Sequence, residues 1–408
     1  RRGQGEWGMR WPGNGTLLAT CGGGAEAILR DELQHLGLTV IDTANGAVRF
    51  RGEGLELASA TTRSRVASRV LLPLVADDVS TYDELYRLAR RVRWRELVPP
   101  RLSIAVSAVG RDRRIPDTRM AALKVKDAIV DAQRSAGSGR RPTGGGKRSS
   151  VDRRNPDVPV SVFVDEGRAT ISLDAAGTPL HMRGYRLEGG EAPLRETVAA
   201  TMVLASGWDP TTPLCDPFCG SGTIAIEAAM IAAGKTPGDI RPGYAMERWP
   251  WFDARARRRE ASTSDTGDAE RPTATPGVPP DPPLIVARDR DAESVETARR
   301  NAARAGVDGW IAFAVADALG TDAPYPEGTV VTNPPYGERL ELEGARDFYA
   351  ALADRLKHGY GGWDAWVLSA NREAMKGFGL RASSRMQLWN GGLDARLYHY
   401  EIFAKRQS

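Results

Sequence analysis

Apolar and polar positions alternate with clear periods along much of this chain, and the periods predict an ordered series of strands and helices. Thr16 to Thr20 reads as an apolar strand followed by a Gly-rich turn. A helix follows over about Ala25 to Leu36, with Ile28, Leu29, Leu33 and Leu36 on one face and Gly37 placed to end it. Short strands are expected at Leu38 to Asp42 and Ala47 to Phe50, helices at Glu56–Ser64 and Tyr82–Val92, and strands at Leu102–Val109 and Pro159–Val164. From Met120 to Arg134 the spacing gives a helix whose inward side holds Met120, Leu123, Val125, Ala128 and Ile129. Val160 to Leu173 alternates like two paired strands around Asp165-Glu166-Gly167, and His181 to Arg186 with Gly189-Gly190 reads as a linker.

Beyond residue 190 the pattern changes to strands alternating with long helices, the mark of a parallel α/β sheet. Helices are expected at Leu194–Ser206, Ile224–Ala233, Ala292–Ala305 and Arg346–Lys357. Strands are expected before Asp216, at Leu284–Ala287, Ile311–Val315, Thr329–Thr332 and Ala365–Ser369, with a closing pair near Arg385–Trp389 and Leu397–Ala404. The successive strand ends deliver Asp216, Asp289, Asp317 and Asn333, at the edge where open α/β sheets bind ligands. Asp216-Pro217-Phe218-Cys219-Gly220-Ser221-Gly222-Thr223 turns from strand to helix, and its two glycines let backbone approach a ligand closely. A full dinucleotide fingerprint is absent. An acid after the second strand can chelate ribose hydroxyls, and Asp317 can accept from an adenine amine. Each acid alone is equally a helix cap. Together they favour a nucleoside cofactor carrying a sulfonium.

Asn333-Pro334-Pro335-Tyr336 supplies the other half of the chemistry. The prolines stiffen the loop. The Asn333 side-chain oxygen and the Pro334 carbonyl can then accept both hydrogens of a planar exocyclic amine while Tyr336 stacks on its ring.

Composition narrows the class. With 408 residues, 41% hydrophobic and 26% charged, the chain is an ordinary globular protein of two or three domains. No apolar run approaches the ~20 residues of a membrane span. The start, Arg-Arg-Gly-Gln, has neither a signal core nor a Met and reads as a trimmed or incompletely assigned start. Three cysteines and four scattered histidines give neither a disulfide framework nor a metal-site spacing, so a reduced cytoplasm and no metal are expected. The net charge is +4, yet residues 85–154 hold 19 Lys and Arg against 6 Asp and Glu. That block suggests a polyanion. Arg119, Lys124 and Lys126, solvated on the 120–134 helix beside Arg111-Asp112-Arg113-Arg114, would suit phosphate contacts. Residues 135–150 read as a flexible basic loop and 255–283 as a disordered insertion.

In Ala67 to Leu74, Lys124 to Asp131, His181 to Arg186, Asp216 to Thr223 and Asn333 to Leu340, the chain resembles the THUMP-containing class I S-adenosylmethionine-dependent RNA methyltransferases, and most closely their bacterial branch acting on guanine N2 of 23S rRNA. The resemblance implies a ferredoxin-like segment over 16–55, a THUMP RNA-binding domain over 56–175, a linker over 176–190 and a Rossmann-like methyltransferase domain over 191–403. It also implies S-adenosylmethionine held by Asp216, Pro217, Gly220, Ser221, Gly222, Thr223, Asp289, Asp317 and Asn333, with Asn333, Pro334, Pro335 and Tyr336 at the reacting amine. The implied substrate is 23S rRNA, protein-free or early in assembly. A tRNA guanine-N2 enzyme of the same family and, further off, a DNA adenine-N6 enzyme remain alternatives, as does a non-catalytic RNA binder.

Overall fold

The computed structural model describes residues 11–134, 148–187, 194–252, 278–335 and 342–404. Most of the 135–150 loop and the 255–283 insertion, and the whole of Tyr336, lie outside them. The chain divides into two compact units: one takes the residues up to Thr20, Leu33–Leu180 and the stretch from Pro242, the other Cys21–Glu32, His181–Arg241 and the C-terminal part.

The first unit is built on one seven-stranded sheet. Its strands are β1 (Thr16–Thr20), β2 (Thr39–Ala44), β3 (Ala47–Arg51), β4 (Arg69–Asp78), β5 (Ile104–Val109), β6 (Val158–Asp165) and β7 (Arg168–Asp174), in the order β2-β3-β1-β4-β7-β6-β5. Only β5 and β6 are parallel; every other pair is antiparallel. The ferredoxin-like and THUMP pieces implied by the resemblance therefore share one hydrogen-bonded ladder, with β4 as the strand that joins them. The sequence hides β4 because Pro73 cannot donate to a ladder. The structure accommodates it at a register shift between Pro73 and Val75 against β7.

Five helices accompany this part of the chain: α1 (Glu26–His35), α2 (Gly54–Arg63), α3 (Tyr82–Arg90), α4 (Trp94–Leu97) and α5 (Thr118–Arg134). On α5 the expected inward face is partly wrong. Ala121, Val125, Ala128 and Ile129 are buried, whereas Met120 and Leu123 are exposed. The buried set follows i, i+4, i+7, i+8, a narrower stripe that small alanines let pack closely. It turns Met120 and Leu123 outward.

The second unit is a mixed sheet in the order β10-β9-β8-β11-β12-β14-β13. Its strands are β8 (Leu214–Asp216), β9 (Ile285–Asp289), β10 (Ile311–Val315), β11 (Gly328–Thr332), β12 (Trp363–Ser369), β13 (Ser384–Asn390) and β14 (Leu393–Ile402). The first five in spatial order are parallel, and the closing hairpin runs antiparallel to β12, as the alternation predicted. Helices α6 (Glu196–Ala205), α7 (Thr223–Ala232), α8 (Ala292–Ala305), α9 (Leu342–Gly359) and α10 (Arg372–Met375) belong to this unit. Tyr349, Leu352 and Leu356 of α9 pack with Val330, Trp363, Val367 and Phe378 in one apolar cluster. Burying each such side chain contributes about 1.5–3 kcal/mol, which is how a sheet with short central strands is held. Among the described residues no helix is long and apolar enough to cross a membrane, and no group of three His, Cys, Asp or Glu is placed to hold a metal ion.

The Gly22-Gly23-Gly24 turn lies against β13, the outermost strand of this sheet: Trp389 N donates to the Gly23 carbonyl at 3.2 Å. Gly24 has φ +89°, and a Cβ there would stand 1.7 Å from the Gln387 carbonyl oxygen. Gly24→Ala is therefore expected to lower stability by at least about 2 kcal/mol through combined strain and overlap. A urea-unfolding midpoint equal to the parent's would contradict this packing.

Candidate active site

The parallel strands β10, β9, β8 and β11 finish at one edge of the sheet, and the polar residues singled out in the sequence stand there. Asp216 ends β8 and is 1% exposed. Its Oδ1 accepts from Thr332 Oγ1 at 2.8 Å and from Phe218 N at 3.2 Å. The first bond ties the end of β8 to the end of β11, directly before Asn333. Burial pushes the Asp216 carboxyl up to about 7; the bonds from Thr332 and Phe218 oppose that rise, and nearby Asp289 adds to it.

Pro217 cannot continue the ladder, so the chain leaves β8 and turns. Gly220 (φ +52°) and Gly222 (φ +85°) both take left-handed backbone. A Cβ on Gly222 would come within 2.8 Å of Ala298 Cβ, so the turn presses directly on α8. A Cβ on Gly220 would meet nothing within 4 Å, so the space over that glycine is open. Ser221 is fixed through its carbonyl, which accepts from Asn301 Nδ2 at 3.1 Å, and Thr223 begins α7. Asp289, the last residue of β9, accepts from Gly220 N at 2.9 Å and from Asp291 N at 3.0 Å. The carboxylate that the sequence offered as a ribose ligand thus also pins the glycine turn. Asp317 is exposed after β10, where its Oδ1 accepts from Leu319 N at 3.0 Å.

Asn333 follows β11 and is half-buried, with Pro334 buried and Pro335 half-buried behind it. Asn333 Oδ1 is itself buried and accepts no hydrogen bond from the described residues. Such an acceptor carries a desolvation cost that an incoming N–H donor removes. Tyr336, the expected stacking ring, lies outside the described residues. The buried thiols of Cys215, pushed up to about 12, and Cys219, pushed well above its usual value, are held protonated chiefly by desolvation and are poor nucleophiles.

The three RNA-binding candidates lie on α5 in the other unit. Arg119 is exposed, whereas Lys124 Nζ pairs with Asp83 at 2.9 Å and Lys126 Nζ with Asp127 at 2.9 Å. Surface pairs of this kind are weak and exchange readily with other anions.

One part of the site escaped the sequence reading. The run His181 to Arg186, taken as a linker, is anchored under the glycine turn. Arg183 and Glu227 are fully buried and face each other at 3.4 Å, and the Tyr185 hydroxyl donates to Glu227 Oε1 at 3.1 Å. Arg186 donates to Thr223 Oγ1 at 2.6 Å. The available signal was Glu227, a lone charge in the otherwise apolar helix Thr-Ile-Ala-Ile-Glu-Ala-Ala-Met-Ile-Ala, which needs a buried cation.

Comparison with known proteins gives the arrangement a family. Residues 183–399 match the RMKL-like methyltransferase domain, 79–174 the THUMP domain and 16–71 the RlmL ferredoxin-like domain. A Synechocystis protein whose name proposes an RNA methyltransferase is 34% identical over 387 residues, covering 95% of this chain and 96% of that one. A Listeria monocytogenes structure, described as a predicted N6-adenine-specific DNA methylase, is 30% identical with a TM-score of 0.79, covering 95% of this chain and 96% of its own. A further structure, of a protein proposed as a methyltransferase and complexed with SAH, is 28% identical with a TM-score of 0.81, covering 96% of this chain and 99% of its own. The matched segments span both units and include every strand-end residue described above. This chain belongs to the RMKL-like methyltransferases that carry an RlmL ferredoxin-like segment and a THUMP domain.

Proposed function

We propose that this protein transfers a methyl group from S-adenosylmethionine to the exocyclic N2 of a guanosine in 23S rRNA, taken protein-free or early in assembly. The observation that carries the reading is the buried Asn333 Oδ1 just after β11, which has no hydrogen-bond partner among the described residues. It is an acceptor waiting for a donor, on a loop stiffened by two prolines, beside a turn that leaves open space over Gly220. The cofactor reading is supported by the SAH-bound relative, and RNA is supported by the THUMP match and by the name of the Synechocystis relative.

S-adenosylmethionine supplies an electrophilic methyl group on a sulfonium, so the protein's task is placement rather than activation of a leaving group. Asp216, Pro217 and Gly220 to Thr223 would line its methionine side, and Asp289 and Asp317 its ribose and adenine. The guanine N2 lone pair is delocalised into the ring and is a weak nucleophile. Accepting its two hydrogens on Asn333 Oδ1 and the Pro334 carbonyl holds the amine in line and favours its pyramidal form. Tyr336 is assigned to stacking on the base. The target nucleotide has to be unpaired or flipped to reach this edge. Arg119, Lys124 and Lys126 are assigned to phosphate contacts, which makes RNA affinity fall with salt. An adenine N6 amine would suit the same two acceptors, and the THUMP domain is what favours RNA over DNA. A tRNA guanosine is the second reading.

Two results are expected. Asn333→Ala should reduce kcat/KM for methyl transfer by about a hundredfold or more while leaving the RNA dissociation constant unchanged; an unchanged rate would remove Asn333 from the chemistry. Asp216 is protonated below about 7 and must ionise to face a cationic ligand. A bound sulfonium lowers that pKa, so binding releases a proton on the acid side and S-adenosylmethionine affinity should rise by up to about tenfold per pH unit toward about 7, then level. Asp216→Asn should flatten the profile; a wild-type affinity independent of pH between 5.5 and 8 (about the span of that titration) would contradict the assignment.

A further inference from the structure

Two aromatic rings at the ligand edge of the second sheet are left part exposed by the packing around them. Phe218 follows Pro217 after β8 and Phe348 lies on α9; both are half-buried, and their rings meet edge to face at 5.6 Å. Both pack against the apolar cluster beneath without being enclosed by it. The buried stripe of α9 is Ala345, Tyr349, Leu352, Ala353 and Leu356, at i, i+4, i+7, i+8 and i+11, and Phe348 stands on its flank. Phe218 likewise stands open between Pro217 and Cys219, which are both buried.

Sheet order places this pair beside Asn333, because β11 lies between β8 and β12. Phe218 N donates to Asp216 Oδ1 at 3.2 Å, the same oxygen that takes the Thr332 hydroxyl at 2.8 Å, so the Phe218 backbone stands at the end of β11 as well as of β8. Tyr349, next to Phe348 on α9, shares a hydrogen bond with Ser369 Oγ at 2.8 Å. Ser369 ends β12 two residues beyond Val367, the register partner of Thr332. The helix therefore meets the turn after β8 through Phe348 and the end of β12 through Tyr349. Between those two anchors lies the end of β11, from which Asn333 and Pro334 emerge. Gly344, one turn before Phe348 on the same face, is exposed, and a Cβ there would meet nothing within 4 Å, so the helix surface leading up to the ring is clear.

The residues assigned to the cofactor's ribose and adenine, Asp289 and Asp317, follow β9 and β10 on the far side of β8 from this helix. An aromatic wall on the β11 side faces the other reactant. A nucleobase taken out of its strand loses the stacking of its neighbours, and stacked or edge-to-face contact with an aromatic ring replaces it for any base, since every base has a π-face. The two acceptors at Asn333 and Pro334 fix the amine, and a ring beside them fixes the plane of the base that carries it.

Resting on the reading of Asn333 as the amine acceptor, we propose that Phe348, backed by Phe218, is an aromatic contact of the target base, additional to Tyr336. It serves the RNA substrate and leaves cofactor binding to the residues after β8, β9 and β10.

The test uses the full chain and its Phe348→Leu and Phe348→Tyr variants, with methyl transfer to protein-free 23S rRNA and to bulk tRNA measured beside S-adenosylhomocysteine binding by titration calorimetry. Phe348→Leu keeps an apolar side chain and removes the ring. It is expected to lower kcat/KM on the RNA that the parent methylates by about ten- to a hundredfold, the worth of one contact between a base and an aromatic ring, and to leave the S-adenosylhomocysteine dissociation constant within about threefold. Phe348→Tyr puts the ring back and is expected to recover kcat/KM to within about threefold of the parent. An unchanged kcat/KM in Phe348→Leu would overturn the proposal. A matching loss of S-adenosylhomocysteine binding, which marks a packing role, would overturn it too, as would a Phe348→Tyr protein as slow as Phe348→Leu. A parent that binds S-adenosylhomocysteine but labels neither RNA would instead overturn the substrate reading on which the proposal rests.

Discussion

The Thr332 hydroxyl donating to Asp216 is the interaction on which the site depends. It joins the end of β8 to the end of β11, and each strand leads into one half of the proposed site: the glycine turn follows Asp216, and Asn333, the proposed amine acceptor, follows Thr332. Losing it would leave a buried carboxyl without its hydroxyl donor and free the two strand ends to move apart. Asp289 repeats the device one strand over by holding Gly220 N, so three neighbouring strand ends are linked by side chains beyond the ladder itself. Transfer between two bound groups is steeply sensitive to their separation, and this linkage gives the edge the rigidity that such placement needs.

Much of this was visible in the residues. The helix over 292–305 and the strand over 311–315 emerge with the bounds their periodicity gives, because Asp291 caps the first and Gly306 ends it in left-handed backbone. The order of Asp216, Asp289, Asp317 and Asn333 at one edge followed from strand alternation alone. What stayed hidden depends on partners distant in sequence. β4 was masked by Pro73, which only a local register shift against β7 admits. The inward face of α5 was misassigned because Met120 and Leu123 are larger and more apolar than the alanines that pack, and close approach of the helix decided the matter over hydrophobicity. Arg183 and Arg186 share one run while their carboxylate partners Glu227 and Glu196 lie on α7 and α6, and apart from the lone charge of Glu227 nothing local reveals that they meet.

The basic block also reads differently in three dimensions. Several of its cations are engaged at home: Arg91 with Asp77, Arg93 with Glu96, Lys124 with Asp83, and Arg95 with the carbonyls of Ala132 and Gln133 at the end of α5. Asp112 accepts from the backbone of Arg114, Ile115 and Gly167, which fixes the loop after β5 and leaves Arg111 and Arg113 exposed without a side-chain partner among the described residues. With Arg119 they are among the cations of the block that stand open to a phosphate. An excess of positive charge in sequence thus becomes a smaller set of exposed arginines on ordered backbone, a better basis for orienting RNA than a diffuse cloud of charge.

The measurement that tests the central claim most directly is methyl transfer from radiolabelled S-adenosylmethionine to protein-free 23S rRNA, bulk tRNA and duplex DNA, followed by digestion to nucleosides. Label recovered as N2-methylguanosine from 23S rRNA is the predicted result. The same nucleoside from tRNA alone would keep the chemistry at Asn333 and overturn the substrate, and label in N6-methyladenosine or in DNA would contradict the account.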